Sequence, residues 1–444
     1  MDDDSFDVGD NESTYLVTNV IKTDSMKEGY NAREMRRIRN SASFRAGRIL
    51  VSSIVRPWLL IFLPIRLLYL GYCLGMERLG KRTSPYVSKE YENIEQTPED
   101  CVVFFPTNGV GFGHFTRMYA LAKRWKKHSP STELVFFTTM PTLHILYSEG
   151  FPTYHIAGRK KFKNMTASEW NTMLEEQLSL VFSQHKPSLF IFDGAFPYRG
   201  MLNAVSSFQG IKNVWIRRGM FKKGSNIPVD SIQHFDLIVR PEDSIPATLD
   251  EISHEVETLN VPPIVLLNEE DLLSRKDARL RLMLPEKGPV VYVQLGAGRI
   301  NDINSEVRLT IDSLLSEGVS VVLGESMLGE RLPVELEGVY LLRDYPNSMF
   351  FNAFDASIQA GGYNSYHEVR KFGLPTIFYP NMNTGMDDQL ARCKQAEIEG
   401  WGIVVESRNE QTIPAAVTRL LKLERRRAIS QDDGAFELYH AINV

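Results

Sequence analysis

"CVVFFPTNGVGFGHFTRMYALAKRWKKH", residues 101–128, leaves a run of β-branched and aromatic residues and crosses a loop holding Gly109, Gly111 and Gly113. It then enters a segment of helical period with His114 near its start. An apolar run without alternation is what a strand buried on both faces requires, and strand–loop–helix is the unit from which parallel sheets are wound. The unit recurs further along the chain. "ELVFFTTM" (133–140), "SLFIFDG" (188–194), "KNVWIRR" (212–218) and "DLIVRP" (236–241) follow, with helical segments such as 168–185 between them. Around residues 241–288 the series breaks into a Pro-rich, charged stretch. It restarts with "VVYVQLG" (290–296), "SVVLGES" (320–326), "VYLLRD" (339–344), "ASIQAGG" (356–362), "PTIFYPN" (375–381) and "GIVVES" (402–407). The pattern predicts an α/β protein of two Rossmann-like doubly wound domains, 96–245 and 289–444, joined by a linker region 246–288 and facing each other across a cleft. Ligands of such sheets sit outside the carboxyl ends of the strands.

The chain has 444 residues, 43% hydrophobic and 24% charged, with a formal net charge of −5. That balance argues against nucleic acid as a partner. Its three cysteines, Cys73, Cys101 and Cys393, lie far apart, so neither a disulfide framework nor a zinc site is suggested and a reducing cytoplasm fits best. Residues 1–30 are acidic and polar and are expected to be disordered. Residues 31–95 form a basic, hydrophobic helical extension. Within it, residues 49–76 are long enough to span a bilayer, but Arg56, Pro57, Pro64 and Arg66 interrupt the run. An arginine at the bilayer centre costs about 2.5–3.5 kcal/mol, roughly what six leucines return. A broken helix lying in the membrane interface therefore fits better than a span, with upstream arginines meeting an anionic leaflet. The alternative is a helix pair packed on the globular body.

Two glycine-rich loops lie at strand ends. Around Gly111 and Gly113 the spacing is like a dinucleotide turn, yet the next strand ends "FFTTMPT" without the acid that would hold a ribose, so no nicotinamide or flavin cofactor is expected. In the second loop, Gly361 and Gly362 end a strand and open a helix near Asn364 and Ser365, where backbone N–H groups suit a diphosphate. Glu368 lies one turn in, placed for ribose hydroxyls. Asp387, Asp388 and Gln389 crowd a loop-to-helix junction and suit a sugar; the plainer alternative is that one of the aspartates caps the helix.

This order of motifs resembles the GT-B glycosyltransferases, in particular the group holding the bacterial peptidoglycan N-acetylglucosaminyltransferase and the UDP-glycosyltransferases. The resemblance covers about residues 101–430. It implies a UDP-sugar donor and no resident cofactor. Gly361, Gly362, Asn364 and Ser365 match the family's diphosphate turn, Glu368 its ribose carboxylate, and Asp388 with Gln389 its donor-sugar pair. Gly296, Gly298 and Arg299 of "QLGAGRIND" match the first glycine loop of the donor domain, and Arg343 lies where the base-binding loop lies. The long donor signature of the plant-type members, with its early tryptophan and glutamine, is missing here.

The resemblance also makes His114 the candidate general base for an inverting, metal-independent transfer, oriented by Asp193 at the end of "FIFD". Acceptor binding without proton transfer is the alternative for His114, and helix capping for Asp193. Gly111, Gly113, Tyr198, Arg199, Arg217 and Arg218 are expected to face an anionic acceptor, a lipid-linked glycan or an acidic polysaccharide; a solvated basic face is the alternative. The implied setting is bacterial cell-envelope synthesis at the inner face of the plasma membrane, in the cytoplasm. Two other readings remain: a UDP-sugar 2-epimerase of the same fold, and a non-catalytic partner that binds sugar nucleotide.

Overall fold

The computed structural model describes residues 38–79, 81–82, 97–107, 111–218, 229–246, 256–295, 303–325, 336–383, 387–428 and 433–443. Its strands are β1 (Glu99–Pro106), β2 (Glu133–Thr138), β3 (Thr153–His155), β4 (Pro187–Asp193), β5 (Lys212–Ile216), β6 (Leu237–Pro241), β7 (Glu257–Val261), β8 (Val290–Gln294), β9 (Ser320–Gly324), β10 (Val339–Leu342), β11 (Ala356–Gln359), β12 (Thr376–Phe378) and β13 (Gly402–Val404). Helices are α1 (Ala42–Val55), α2 (Leu63–Arg78), α3 (Gly113–His128), α4 (His144–Ser148), α5 (Ala167–His185), α6 (Arg199–Ser207), α7 (Arg275–Arg281), α8 (Ile303–Ser316), α9 (Tyr363–Lys371), α10 (Gln389–Ile398), α11 (Thr412–Leu420) and α12 (Gly434–Asn443).

Two compact units form. The smaller holds the described residues up to Glu99 together with Phe162–Lys186 and Pro197–Ile211, and so contains α1, α2, α5 and α6. Helix α5 starts at a capping box: Thr166 accepts the Glu169 N–H at 3.2 Å, and Glu169 accepts the Thr166 N–H at 2.8 Å. Thr166 is thus a helix cap. The Asn171 side chain accepts the Gly200 N–H at 2.8 Å and ties α5 to α6. Helices α1 and α2 form an antiparallel hairpin. Among the described residues no helix is long and apolar enough to cross a membrane.

The larger unit, Asp100–Lys161, Pro187–Phe196 and Lys212–Val444, holds both sheets. Their orders are β3-β2-β1-β4-β5-β6-β7 and β10-β9-β8-β11-β12-β13. Counted from its own first strand, each sheet begins 3-2-1-4-5-6, so the second repeats the winding of the first. These are the two Rossmann-like domains expected from the sequence. Parallel register is seen, for example, as Phe104 opposite Phe136 and Gln294 opposite Gln359.

The unbroken apolar runs are explained by burial on both faces. In β8, Val290 and Tyr292 join one core cluster while Val291 and Val293 join another on the opposite face. Phe104 stacks on Phe136 at 5.1 Å on one face of the first sheet, and Phe105 meets Phe137 edge-on at 5.1 Å on the other. Helix α3 buries Phe115, Met118, Ala122 and Trp125, a stripe at helical spacing, each large side chain contributing about 1.5–3 kcal/mol.

Two features depart from the expected layout. The stretch 246–288, read as linker, carries β7, which pairs with β6 as the edge of the first sheet. Its sequence "ETLNV" is half polar because only one side of this edge strand is covered. The end of the chain, read as part of the second domain, returns to the first. In α12, Tyr439 meets Trp125 edge-on at 5.1 Å and Ser129 at 2.7 Å, and Asp433 just before it accepts Arg124 at 2.8 Å. Gly434 starts that helix against the backbone of Pro262, where a Cβ would collide with the carbonyl.

Candidate active site at the two switch points

In each sheet the winding reverses between two central strands, β1 and β4 in the first and β8 and β11 in the second. The crevice at such a reversal is where doubly wound sheets hold ligands. His114, the second residue of α3, and Asp193, the last of β4, flank the first reversal. His114 Nδ1 lies 2.7 Å from Asp193 Oδ1. Arg117, one turn along α3, donates from Nε to Asp193 Oδ2 at 2.9 Å and from a terminal nitrogen to Oδ1 at 2.8 Å. Asp193 and Arg117 are buried, whereas the His114 side chain keeps 18% of its surface. Burial lowers the His114 pKa below the usual histidine value; Asp193 pulls it up, and Arg117 and Arg218 push it down again. The ring is therefore neutral at pH 7. Burial alone would raise the Asp193 carboxyl, but Arg117 and then His114 outweigh it and hold it below the usual carboxylate range.

The second reversal lies against the first through a few named atoms. Asn364, the second residue of α9, donates to the Gly113 carbonyl at 3.2 Å and accepts from Arg117 at 3.3 Å. The ring of Tyr363 before it lies under three guanidiniums: Arg117 at 5.6 Å, Arg218 at 5.3 Å and Arg392 at 5.6 Å. Arg392 is fully buried and donates to Asp243 at 2.7 Å, to Asp387 at 2.6 Å and to the Gly361 carbonyl at 2.8 Å. Arg218 reaches the same Asp387 at 3.4 Å. Burial pushes both carboxyls up; Arg218 and Arg392 nevertheless hold Asp387 down, as His367 and Arg392 do Asp243. Gly361 has no room for a side chain, because a Cβ would run into Cys393 Sγ.

No protein-family model and no curated protein sequence matches the chain. Solved structures do. The glycotransferase of kitacinnamycin shares 13% identity over 78% of this chain and 99% of its own, with a TM-score of 0.54. The calicheamicin glycosyltransferase CalG4 shares 15% over 72% and 90%, at 0.51. The UDP-GlcNAc 2-epimerase of Neisseria meningitidis, solved with UDP-GlcNAc bound, shares 12% over 77% and 99%, at 0.54.

The fold is GT-B.

In the second sheet the loop after β11 leads into α9. Gly362 caps it with extended backbone and no side-chain cap, so the first N–H groups of the helix are not taken by a capping side chain. Ser365 is partly exposed in that first turn. Glu368 accepts the Ser348 hydroxyl at 3.1 Å. Burial pushes its carboxyl up to about 7, against the downward pull of Ser348 and Lys371.

At the junction expected to suit a sugar, the helix-cap alternative falls to Asp388. Asp388 caps α10, accepting the Ala391 N–H at 3.1 Å. Gln389 accepts the Asn381 N–H at 3.0 Å. The acid set among the charged groups is its neighbour Asp387, because the cap geometry turns Asp388 toward its own helix.

Arg217 is also not at a surface. It is buried with its guanidinium 5.1 Å over the Trp215 ring, so it does not offer an exposed cation to an acceptor. Its neighbour Arg218 has 29% of its side chain accessible. Tyr198 precedes α6 in the smaller unit and meets Trp170 edge-on at 5.0 Å, and Arg199 is exposed. Gly111 has open space where a Cβ would stand. Arg343 follows β10 and is exposed. Gly296, Gly298, Arg299 and Gly109 lie outside the described residues.

Arg117, Asp243, Tyr363 and Arg392 had no role assigned from sequence, and Asp387 was read only as part of the junction that suits a sugar. For Arg117 a signal was present: three residues past His114 on a helix, it shares the same face. The others meet across separations that sequence spacing does not reveal.

Proposed function

We propose that this protein is an inverting glycosyltransferase that moves a sugar from a UDP-sugar to a hydroxyl of a lipid-linked or polysaccharide acceptor. The observation that carries this reading is the His114–Asp193 pair at one switch point, joined through Arg117 and Asn364 to a helix N-terminus at the other. Asp193 accepts a hydrogen bond from Nδ1–H of neutral His114 at 2.7 Å, which leaves the Nε2 lone pair to accept the acceptor's hydroxyl proton as that oxygen attacks the anomeric carbon and the diphosphate leaves. Asp193 then faces the imidazolium, and Arg117 fixes Asp193 in place. The leaving diphosphate collects at the α9 N-terminus, where the helix dipole and the guanidiniums of Arg117 and Arg218 favour negative charge. Glu368 in its ionised form accepts ribose hydroxyls. No resident cofactor is needed. Metal independence is supported by the site's chemistry: Asp243 and Asp387 are already held by Arg392, and Asp193 by Arg117.

The proposed setting is the inner face of a bacterial plasma membrane, in cell-envelope glycan synthesis. The exposed apolar side chains of α1 and α2 support attachment to a membrane there, beside a lipid-linked acceptor.

Purified protein incubated with UDP-sugars and candidate acceptors is expected to release UDP with acceptor-dependent rate. His114→Ala is expected to lower turnover about 10²-fold or more with donor binding kept. Asp193→Asn should reproduce part of that loss. Near-full turnover of His114→Ala at saturating acceptor would refute the base assignment.

A second reading, a UDP-sugar 2-epimerase, is favoured by Glu368, whose near-neutral pKa suits proton transfer. Conversion of a UDP-sugar to its epimer without acceptor would establish it in place of transfer.

A further inference from the structure

Helices α1 and α2 are built inside out. Arg45 meets Glu77 at 2.7 Å, and Arg66 donates to Ser53 and Ser52 at 3.0 Å each, so the polar side chains of the hairpin face one another. Ser53 is completely buried. The sequence reading counted Arg66 against insertion, but here its guanidinium is bonded within the hairpin. The outward surface is apolar around most of its circumference: Val51, Ile54 and Val55 on α1, and Ile65, Leu68 and Tyr72 on α2, are all exposed. From Leu50 to Val55 and from Pro64 to Gly75 the exposed residues include no charged one.

A helix lying in the interface needs a polar face for water. This hairpin presents none over that length; a helix apolar all round its exposed side is one meant for immersion. The turn between the helices carries Trp58, 65% exposed, and Ile61, 78% exposed. Arg56 at the turn is the one charged group outside the interior pairs that immersion would carry in. The open end is cationic instead, with exposed Arg39, Arg48, Arg78 and Lys81. Residues 38–82 hold eight Lys or Arg and a single acid, Glu77. At about 1.5 Å per residue the 14-residue α1 and the 16-residue α2 are roughly 21 and 24 Å long, short of the roughly 30 Å hydrocarbon core.

We propose that the hairpin inserts turn-first into a bilayer containing anionic lipid and returns to the face it entered, with Trp58 among the acyl chains and the cations at the headgroups. This deepens the membrane attachment put forward above and rests on it, but not on the reaction. The sequence that follows, "TSPYVSKEYENIEQ" (83–96), is polar and charged and does not match this apolar surface in chemistry. A bilayer matches both the apolar body and the cationic rim.

The chain supplies its own probe. Of its five tryptophans, Trp125, Trp170, Trp215 and Trp401 are buried and Trp58 is exposed. The full chain is mixed with phosphatidylcholine vesicles, with or without phosphatidylglycerol, whose chains are brominated either near the headgroup or near the chain end. Flotation reads binding and tryptophan quenching reads depth. The expected result is flotation with the anionic vesicles, stronger quenching by the deep bromines than by the shallow ones, and loss of most of that quenching in Trp58→Phe, which still floats. Stronger quenching by shallow bromines would overturn insertion while leaving membrane attachment standing. Flotation without quenching of Trp58 would assign binding to another surface. Failure to float would end both ideas, and a dimer by sedimentation that dissociates in Ile61→Glu would assign the apolar face to a second copy. Transfer to a water-soluble acceptor, measured without vesicles, tests the reaction separately.

Discussion

Glu368 offers a test of the proposed donor site that does not depend on knowing the sugar. Its carboxyl is pushed from the ordinary 4.5 to about 7, first by burial, with Ser348 and Lys371 only partly offsetting that. Between those two values the unfolded chain has given up a proton that the folded chain keeps. Folding therefore takes up a proton in this window, and this group's contribution to stability falls as pH rises from about 4.5 through 7. Each tenfold change in proton affinity is worth about 1.36 kcal/mol, so the whole displacement amounts to up to about 3 kcal/mol. Glu368→Gln keeps the shape and an acceptor for the Ser348 hydroxyl but cannot ionise. Urea unfolding of both proteins at a series of pH values from 5 to 8 isolates the effect, because every other titrating group is common to the two. The variant's stability relative to wild type should grow as pH rises and level off above 7. A gap that stays constant over that range, or shrinks, would refute the argument that the carboxyl is desolvated. UDP binding adds a second readout. If ionised Glu368 holds the ribose, wild-type affinity should fall more steeply than the variant's as pH drops below 7, the titration of the UDP phosphate at about 6 being common to both.

The remaining predictions concern the proposed catalytic pair and the frame around it. Because burial and Arg117 depress the His114 imidazolium, the acid limb of kcat/KM should lie below the ordinary histidine value of 6.5, and in Arg117→Met it should move up; a limb at or above 6.5 in wild type would contradict the burial. Arg392→Met leaves Asp243 beside His367 and Asp387 beside Arg218, each at 3.4 Å, and should destabilise by about 3 kcal/mol in urea at pH 7, where a loss as small as that of a surface pair would show the network to be solvated. Gly434→Ala drives a Cβ into the Pro262 carbonyl and should lower stability by about 1–3 kcal/mol in thermal unfolding; an unchanged Tm would mean that α12 does not dock as described.

Much of this architecture is written locally in the sequence. Most strands of the two sheets, among them β1, β2, β4, β6, β8 and β9, appear as largely apolar runs, since a strand covered on both faces has no reason to alternate. The positions of His114 and Asp193 at adjacent strand ends were legible for the same reason: strand ends and the winding order together fix which loops share an edge. The edge strands β3 and β7 were not legible, because "TYH" and "ETLNV" are short and half polar and carry no apolar run. Nor was the chemistry that depends on distant partners. Arg117 and Asn364 stand 247 positions apart and meet only because two sheets wound alike bring their reversals together. Whether Asp387 or Asp388 turns inward depends on which of them caps α10, and that is decided by the backbone of one turn rather than by composition. Arg217 and Arg218 read alike as a basic pair, yet one stacks on Trp215 in the interior and the other reaches Asp387. Successive residues at a strand end point to opposite sides, and only the packed tertiary structure decides which side is core.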